Sequence, residues 1–242
     1  MKLVADLHVH TIASGHAYST LKENLMSARE KGLAMIAVTD HGPGLPGGPC
    51  LSYFSYLQIL PEQDEGVEIL VGVEANILEN GQLDLPDRYL KQMDIVLAGF
   101  HPGCYNGGSV AENTHAMINA IKNPNVDIIV HPGNPHYPID LETVIGAVKE
   151  YDTVLEINNN SLTNGVRKGS RGNCLLIAQE IAKWKLPVSL GSDAHYVDRV
   201  GRLDRALELV EEAGITEDQV LNTSTEKIKA YLRGKGKLDR RY

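Results

Sequence analysis

Seven short apolar runs, spaced by segments of helical character, restrict the fold of this chain more than any other feature. They are Leu3–His8, Met35–Thr39, Glu68–Val73, Ile95–Ala98, Ile128–Val130, Thr153–Ile157 and Pro187–Leu190. Strands that are apolar throughout are expected where both faces of a sheet are covered. Helical patterns separate most of them: Thr20–Lys31, Ser109–Ile121, Leu141–Glu150, Asn173–Lys185 and Leu203–Ala213. A last one near Thr225–Arg233 precedes the polar tail GKGKLDRRY. Thr20 and Glu23 have the spacing of a capping box, and Gly32 supplies the stop. This alternation predicts a parallel sheet built from βαβ crossovers. The chain has 242 residues, 43% hydrophobic and 22% charged, and a closed α/β barrel uses about 250, so one domain over residues 1–242 is expected. Gly42–Tyr53 (GPGLPGGPCLSY) reads as an irregular loop over the mouth of that fold.

The polar residue that ends each run carries the chemistry. The first ends in Asp6, His8 and His10, the second in Asp40 and His41, the third in Glu74 and the fourth in His101. The fifth ends in His131, the sixth in Glu156 and Asn158, the seventh in Asp193 and His195. In α/β barrels the carboxyl ends of the strands form the rim where active sites are built. A structural histidine has no reason to prefer that edge. Side chains alternate along a strand, so Asp6, His8 and His10 are expected to point one way, with Asp6 accepting a hydrogen bond from a ligating ring. H-x-H alone is a weak signal, because solvent-facing histidines on a half-buried strand give the same pattern. Convergence with His41, Glu74, His101, His131, Asp193 and His195 makes it a metal site.

Those donors are nitrogen and oxygen without thiolate, which suits Zn²⁺, Mn²⁺ or Fe²⁺ alike and exceeds the needs of one tetrahedral ion. Two or three ions are expected. Three divalent ions against ionised Glu74 and Asp193 would leave about +4 in the pocket. The whole chain is acidic, with 23 Lys+Arg against 31 Asp+Glu and a net charge of −8, so the positive charge would be local. A small phosphorylated anion is the natural ligand, and multi-metal sites suit phosphoryl transfer. Arg167, Lys168 and Arg171 form a basic loop after the sixth strand, and Arg167 and Arg171 are candidates to reach a phosphate, against the plainer reading of solvated loop charge. Asp40 reads as orienting a ligand or moving a proton, or else as a turn residue. Glu156 and Asn158 read as support for the ligands, or else as loop caps. His115 reads as an ordinary helix residue, and His136, in HPGNPHYP, reads as near the mouth but matches no motif position.

The net charge and 5% aromatic content argue against a nucleic-acid surface, which needs clustered cations and stacking rings. No apolar run approaches the roughly 20 residues that span a bilayer. Asp6 and His8 interrupt the place where a secretory signal would need an apolar core, and Cys50, Cys104 and Cys174 are odd in number without C-x-x-C spacing. A cytoplasmic setting is therefore expected.

The segments DLHVHT (6–11), S-x-H at Ser14–His16, TDHG (39–42), GVE (72–74), HP (101–102), HP (131–132), LEINN (155–159) and GSDAH (191–195) stand in an order that resembles the PHP (polymerase and histidinol phosphatase) domain family. Within it the chain, including RKGSRGNC (167–174), is most similar to the bacterial YcdX-type phosphatases. The resemblance implies a distorted TIM-like (β/α)₇ barrel with three divalent ions, most often zinc, at the carboxyl rim. It implies that His8, His10, Glu74 and Asp193 hold the first ion, that Glu74 bridges to a second completed by His101 and His131, and that His16, His41 and His195 hold a third. It also implies a homotrimer. The expected reaction is hydrolysis of a small phosphomonoester by metal-bound hydroxide. The alternatives are a phosphodiesterase or 3′–5′ exonuclease on the same centre and, less favoured, a non-catalytic metal-binding module. An amidohydrolase barrel also opens with H-x-H, but no lysine follows a strand here to form its bridging carbamate.

Overall fold

The computed structural model describes residues 1–163, 165 and 167–238, so the last four residues of the polar tail lie outside the described residues. The strands are β1 (Ala5–Val9), β2 (Met35–Val38), β3 (Gln63–Asp64), β4 (Val67–Asn76), β5 (Ile95–Gly99), β6 (Ile128–Ile129), β7 (Val154–Asn158) and β8 (Val188–Gly191). All but β3 run parallel in the order β1-β2-β4-β5-β6-β7-β8, and β3 lies antiparallel on the start of β4. Crossovers are made by α1 (Leu21–Glu30), α2 (Leu51–Tyr56), α3 (Asp87–Leu90), α4 (Val110–Ile121), α5 (Leu141–Tyr151) and α6 (Ser170–Trp184), followed by α7 (Asp204–Glu212) and α8 (Thr225–Gly234). The expected barrel of alternating strands and helices is what forms. The Thr20–Glu23 capping box is present at the start of α1, and a second one, Ser109 with Glu112, starts α4.

Four elements differ from the sequence expectation. The long irregular loop ends early, because its last three residues begin α2. The sixth helix starts at Ser170 rather than Asn173. β3 and the four-residue α3 were too short to leave a periodic signature.

β4 does the work of two strands. Its first half pairs with β2 (Met35↔Glu68 to Val38↔Val71) and its second half with β5 (Gly72↔Ile95 to Asn76↔Gly99). That stagger is what a barrel requires, and it carries Glu74 to the centre of the rim. The barrel is nearly closed. Val9 at the end of β1 bridges to Ala194, three residues past β8, and Asn222 spans the remaining gap. Its Oδ1 accepts from Leu190 N at 2.8 Å, and its Nδ2 donates to Leu190 O at 2.8 Å and Ala5 O at 3.0 Å.

Apolar side chains form two layers. Between sheet and helices lies the larger core, including Val9, Ile36, Val38, Val71 and Val73. Inside the barrel, Ala5, Leu7, Met35, Ala37, Leu97 and Val130 pack with Leu221, Ile228 and Leu232, so α8 plugs the amino-terminal end. Full burial of side chains like Ile228 and Leu232 contributes roughly 1.5–3 kcal/mol each. The inside is thus filled from below, and polar groups collect at the other end.

Candidate metal centre

Glu74 is the hub. Fully buried on β4, it has one carboxylate oxygen (Oε1) 3.0 Å from His101 Nε2 and 2.8 Å from His131 Nε2. The other (Oε2) lies 2.9 Å from His41 Nδ1 and 3.3 Å from the Nε2 atoms of both His8 and His10. Asp193 Oδ1 sits 3.4 Å from His10 Nε2, 3.7 Å from His8 Nε2 and 3.4 Å from His195 Nδ1. His195 Nε2 faces His16 Nε2 at 3.0 Å on the exposed side. All nine expected ligands are thus brought to one place by loops and strands far apart in the chain. Three groupings have ligand atoms within 4.8 Å of one another: His8, His10 and Asp193; His41, Glu74 and His101; His10, His41 and His195.

The strand-alternation argument for Asp6 fails. The β1–β2 register slips between Asp6 and Val9, a bulge-like irregularity. Leu7 therefore faces the barrel interior whereas Val9 faces the helices, and the parity of the strand reverses between them. His8 and His10 then point to the centre and Asp6 does not. Asp6 accepts backbone N–H groups from Ser192 (3.1 Å) and Gly201 (2.8 Å) instead, which ties the β8 loops to β1. Bulges commonly re-aim side chains beside active sites in this way.

The contact with a histidine ring expected of Asp6 is made by Glu156. His8 Nδ1 donates to Glu156 Oε1 at 2.8 Å, leaving Nε2 directed at Glu74 and Asp193. Glu156 Oε2 accepts from His131 N at 2.9 Å and from Asn158 Nδ2 at 3.0 Å. Asn158 is itself oriented, because its Oδ1 accepts from Ser161 N and Oγ. Gly191 leaves the room this needs, since a Cβ there would fall 1.9 Å from Glu156 Oε1. His131 (φ +37°) and Asp193 (φ +54°) hold left-handed backbone conformations that cost a residue with a side chain about 1–3 kcal/mol. Strain of this kind persists where surrounding bonds over-determine it, and here His131 N is held by Glu156 and Asp193 N donates to His8 O at 2.9 Å.

Charge is arranged for ligation. Burial pulls the pKa of His10 well down and lowers that of His101, and pushes His131 down to about 3 with Arg167 adding to the effect. These rings stay neutral, with lone pairs available. Burial would lower His8 too, but the carboxylates of Glu156, Glu74 and Asp193 outweigh it and raise its pKa well above the ordinary value. Burial would raise Glu74 and Asp193. The imidazoles of His101, His8 and His41 hold the first well below the usual range, and Arg167 with His8 does the same for the second.

Among the described residues, six buried atoms of this cluster make no hydrogen bond of good geometry, although Glu74 and the imidazoles stand at ion-pair distance: His8 Nε2, His10 Nε2, His41 Nδ1, both ring nitrogens of His101, and Glu74 Oε2. An orphaned buried polar atom costs about 1–3 kcal/mol. Convergent nitrogen and carboxylate lone pairs without donors are what divalent cations satisfy, so the residues fit metal ions.

Beside the cluster opens a cavity of about 870 Å³, lined by His16, His41, His101, Asp193 and His195 and by the apolar residues Leu45, Pro46, Phe100 and Pro102. Arg167 also lines it, held by Asp193 Oδ2 at 2.7 Å. The second basic candidate does not reach it: Arg171 is exposed at the start of α6 and pairs with Glu212 on α7. His115 is an exposed α4 residue bonded to Asn119, as read from its helical context. His136 and Asn134, which matched no ligand pattern, line the cavity; their place in HPGNPHYP, directly after a strand end, was the available signal.

The PHP domain profile matches residues 6–233. A protein named "Probable phosphatase" from Thermoanaerobacter sp. (strain X514) is 55% identical over 237 residues, 97% of this chain and 96% of its own length. Another of that name from Acetivibrio thermocellus is 47% identical over 242 residues, 100% of both chains. The crystal structure of histidinol phosphate phosphatase from Lactococcus lactis, complexed with zinc, L-histidinol and phosphate, is similar with a TM-score of 0.61 at 16% identity, covering 88% of this chain and 94% of that one. The barrel, the ordered motifs from strand to strand and the match over nearly the whole length agree, and this chain belongs to the PHP domain family.

Proposed function

We propose that this chain, a phosphatase, hydrolyses small phosphomonoesters at a centre of three divalent ions, with zinc the first candidate and Mn²⁺ or Fe²⁺ the alternatives. His8, His10, Glu74 and Asp193 would hold one ion, Glu74 with His101 and His131 a second, and His16, His41 and His195 a third. The observation that carries this reading is the set of six buried atoms without hydrogen bonds, three of them on His41 and His101, which line an open cavity. The names of the close relatives support the same activity. Bound divalent ions supply Lewis acidity, lowering the pKa of water and neutralising charge on the phosphoryl oxygens.

The chain's own groups do the rest. Arg167 spends one N–H on Asp193 and has others facing the cavity, where they bind phosphoryl oxygens. Asp193 divides its oxygens, Oδ1 toward the histidines and Oδ2 toward Arg167, so phosphate binding and ligation share one carboxylate. Leu45, Pro46, Phe100 and Pro102 face the organic half of the ester and exclude water from that side. The reading carries with it one catalytic domain over residues 1–242, a cytoplasmic setting and the homotrimeric assembly of similar proteins. Among the described residues no helix is long and apolar enough to cross a membrane.

The test is hydrolysis of a phosphomonoester panel by metal-replete protein, beside a phosphodiester and labelled single-stranded DNA, with the ions counted by elemental analysis. Monoester turnover that disappears with chelator and returns with metal is expected. Absence of monoester turnover, or faster cleavage of the diester or the DNA, overturns the proposal.

A further inference from the structure

Ser14 makes contacts that the metal ligands alone do not explain. It is fully buried, and its hydroxyl has three partners. It donates to Asp40 Oδ1 at 2.6 Å, lies 3.0 Å from His10 Nδ1 and accepts from His41 N at 3.2 Å. Its backbone carbonyl lies 3.1 Å from His16 Nδ1. One serine thus touches three of the nine expected ligands.

A hydroxyl has one proton and two lone pairs. Asp40 fixes where the proton goes. It is a fully buried carboxylate with no Lys, Arg or His in ion-pair reach among the described residues, and four donors converge on it. They are Thr11 N at 2.7 Å, Thr11 Oγ1 at 2.8 Å, Ser14 Oγ and Tyr53 OH at 2.5 Å. Ser14 Oγ is one of these donors, so its proton lies toward Asp40 Oδ1. Both Ser14 lone pairs are then committed, one to His41 N–H and one to His10. His10 can only donate through Nδ1, which forces its lone pair onto Nε2, the atom that faces Glu74 and Asp193.

We propose that Ser14, polarised by Asp40, is a positioning residue that sets the tautomer of His10 and aligns His10, His16 and His41 for metal binding. This rests on the metal-centre reading above. It divides the support of the cluster in two, with Glu156 holding the His8 ring and the His131 backbone, and Ser14 holding the His10 and His16 rings and the His41 backbone. Outer partners of this kind are commonly worth about 10–100-fold in metal affinity. Tyr53 extends the network to α2, the helix that ends the loop carrying Leu45 and Pro46.

The first measurement needs no variant. Long-range ¹⁵N–¹H spectra of the metal-free protein, with His10 assigned by substitution, are expected to show an Nδ1–H, Nε2-unprotonated ring. A ring protonated on Nε2 alone overturns the proposal. The second is zinc affinity by competition with a chromophoric chelator. Ser14→Ala is expected to weaken binding about 10–100-fold and to mix the His10 tautomers, and Ser14→Thr, which keeps a hydroxyl, to restore most of both. Unchanged affinity with an unchanged tautomer in Ser14→Ala overturns it. If the wild-type protein binds no zinc at all, the metal-centre reading fails instead, whatever the His10 spectrum shows.

Discussion

At the amino-terminal end of the barrel, Asp127 is buried beside Lys237, and its Oδ2 accepts both the lysine and Val96 N. Lys237 also donates to Asn125 O at 2.8 Å, and Tyr231 on α8 caps the carbonyls of Asp127 and Asp152. At the carboxyl end, Glu74 is just as buried, but it is ringed by imidazoles that bring no fixed positive charge. One atom of the lower pair, Asp127 Oδ1, lacks a partner, against six atoms of the upper cluster. The lower end is compensated from within the chain and closes the fold. The upper end is left uncompensated, which a chain retains where something else completes it. Polar satisfaction, more than polarity, distinguishes a structural charge from a functional one.

The most severe way to break this contrast is Glu74→Gln. It should lower bound metal by at least one ion and reduce kcat/KM by more than the about 100-fold typical of outer partners. The metal-free variant should lose less stability than a broken buried ion pair does, because no fixed cation is left unpaired when the carboxylate goes. Calorimetry of both metal-free forms checks the second half, and a large loss of stability would place Glu74 with Asp127 as a structural charge.

Lys237→Met should do the reverse. Leaving Asp127 buried without its cation should cost about 3–5 kcal/mol in denaturant unfolding. Metal content and kcat of the folded fraction should stay as they were. Loss of metal in this variant would show that the two ends are coupled.

The mildest comparison sets the two arginines of the basic loop against each other. Arg167→Ala removes charge-assisted bonds worth about 1.5–3 kcal/mol, so KM for a phosphomonoester should rise roughly tenfold or more with little change in bound metal. Arg171→Ala removes an exposed pair worth about 0–1 kcal/mol and should leave both KM and metal content as they were. Equal effects from the two would remove Arg167 from the site.

Much of the fold was legible because its signals are local. Apolar runs, a capping box and strand-end histidines depend on neighbours a few residues away, and a parallel α/β sheet follows from their alternation, whereas its closing into a barrel rests on chain length and the family resemblance. The supporting groups were less legible. Glu156 at a strand end reads only as a general support, because its pairing with His8 spans 148 positions and rests on the empty space at Gly191. Asn222 lies in a stretch without periodicity and acts by filling a gap between the first and last strands. Arg167 and Arg171 are four positions apart in one basic segment, and only the start of α6 turns one into the cavity and the other onto α7.

The amino-acid order determined which donors exist and that they fall at the same ends of parallel strands, since residue type and strand length are properties of short segments. Which way each side chain faces was decided only on closing the barrel. One irregularity between Asp6 and Val9 reverses the strand's parity and exchanges an expected ligand partner for a backbone tie. A slip of that kind is set by the fit of β1 against β2 and β8, contacts made by residues far apart in the chain, so no local pattern could reveal it.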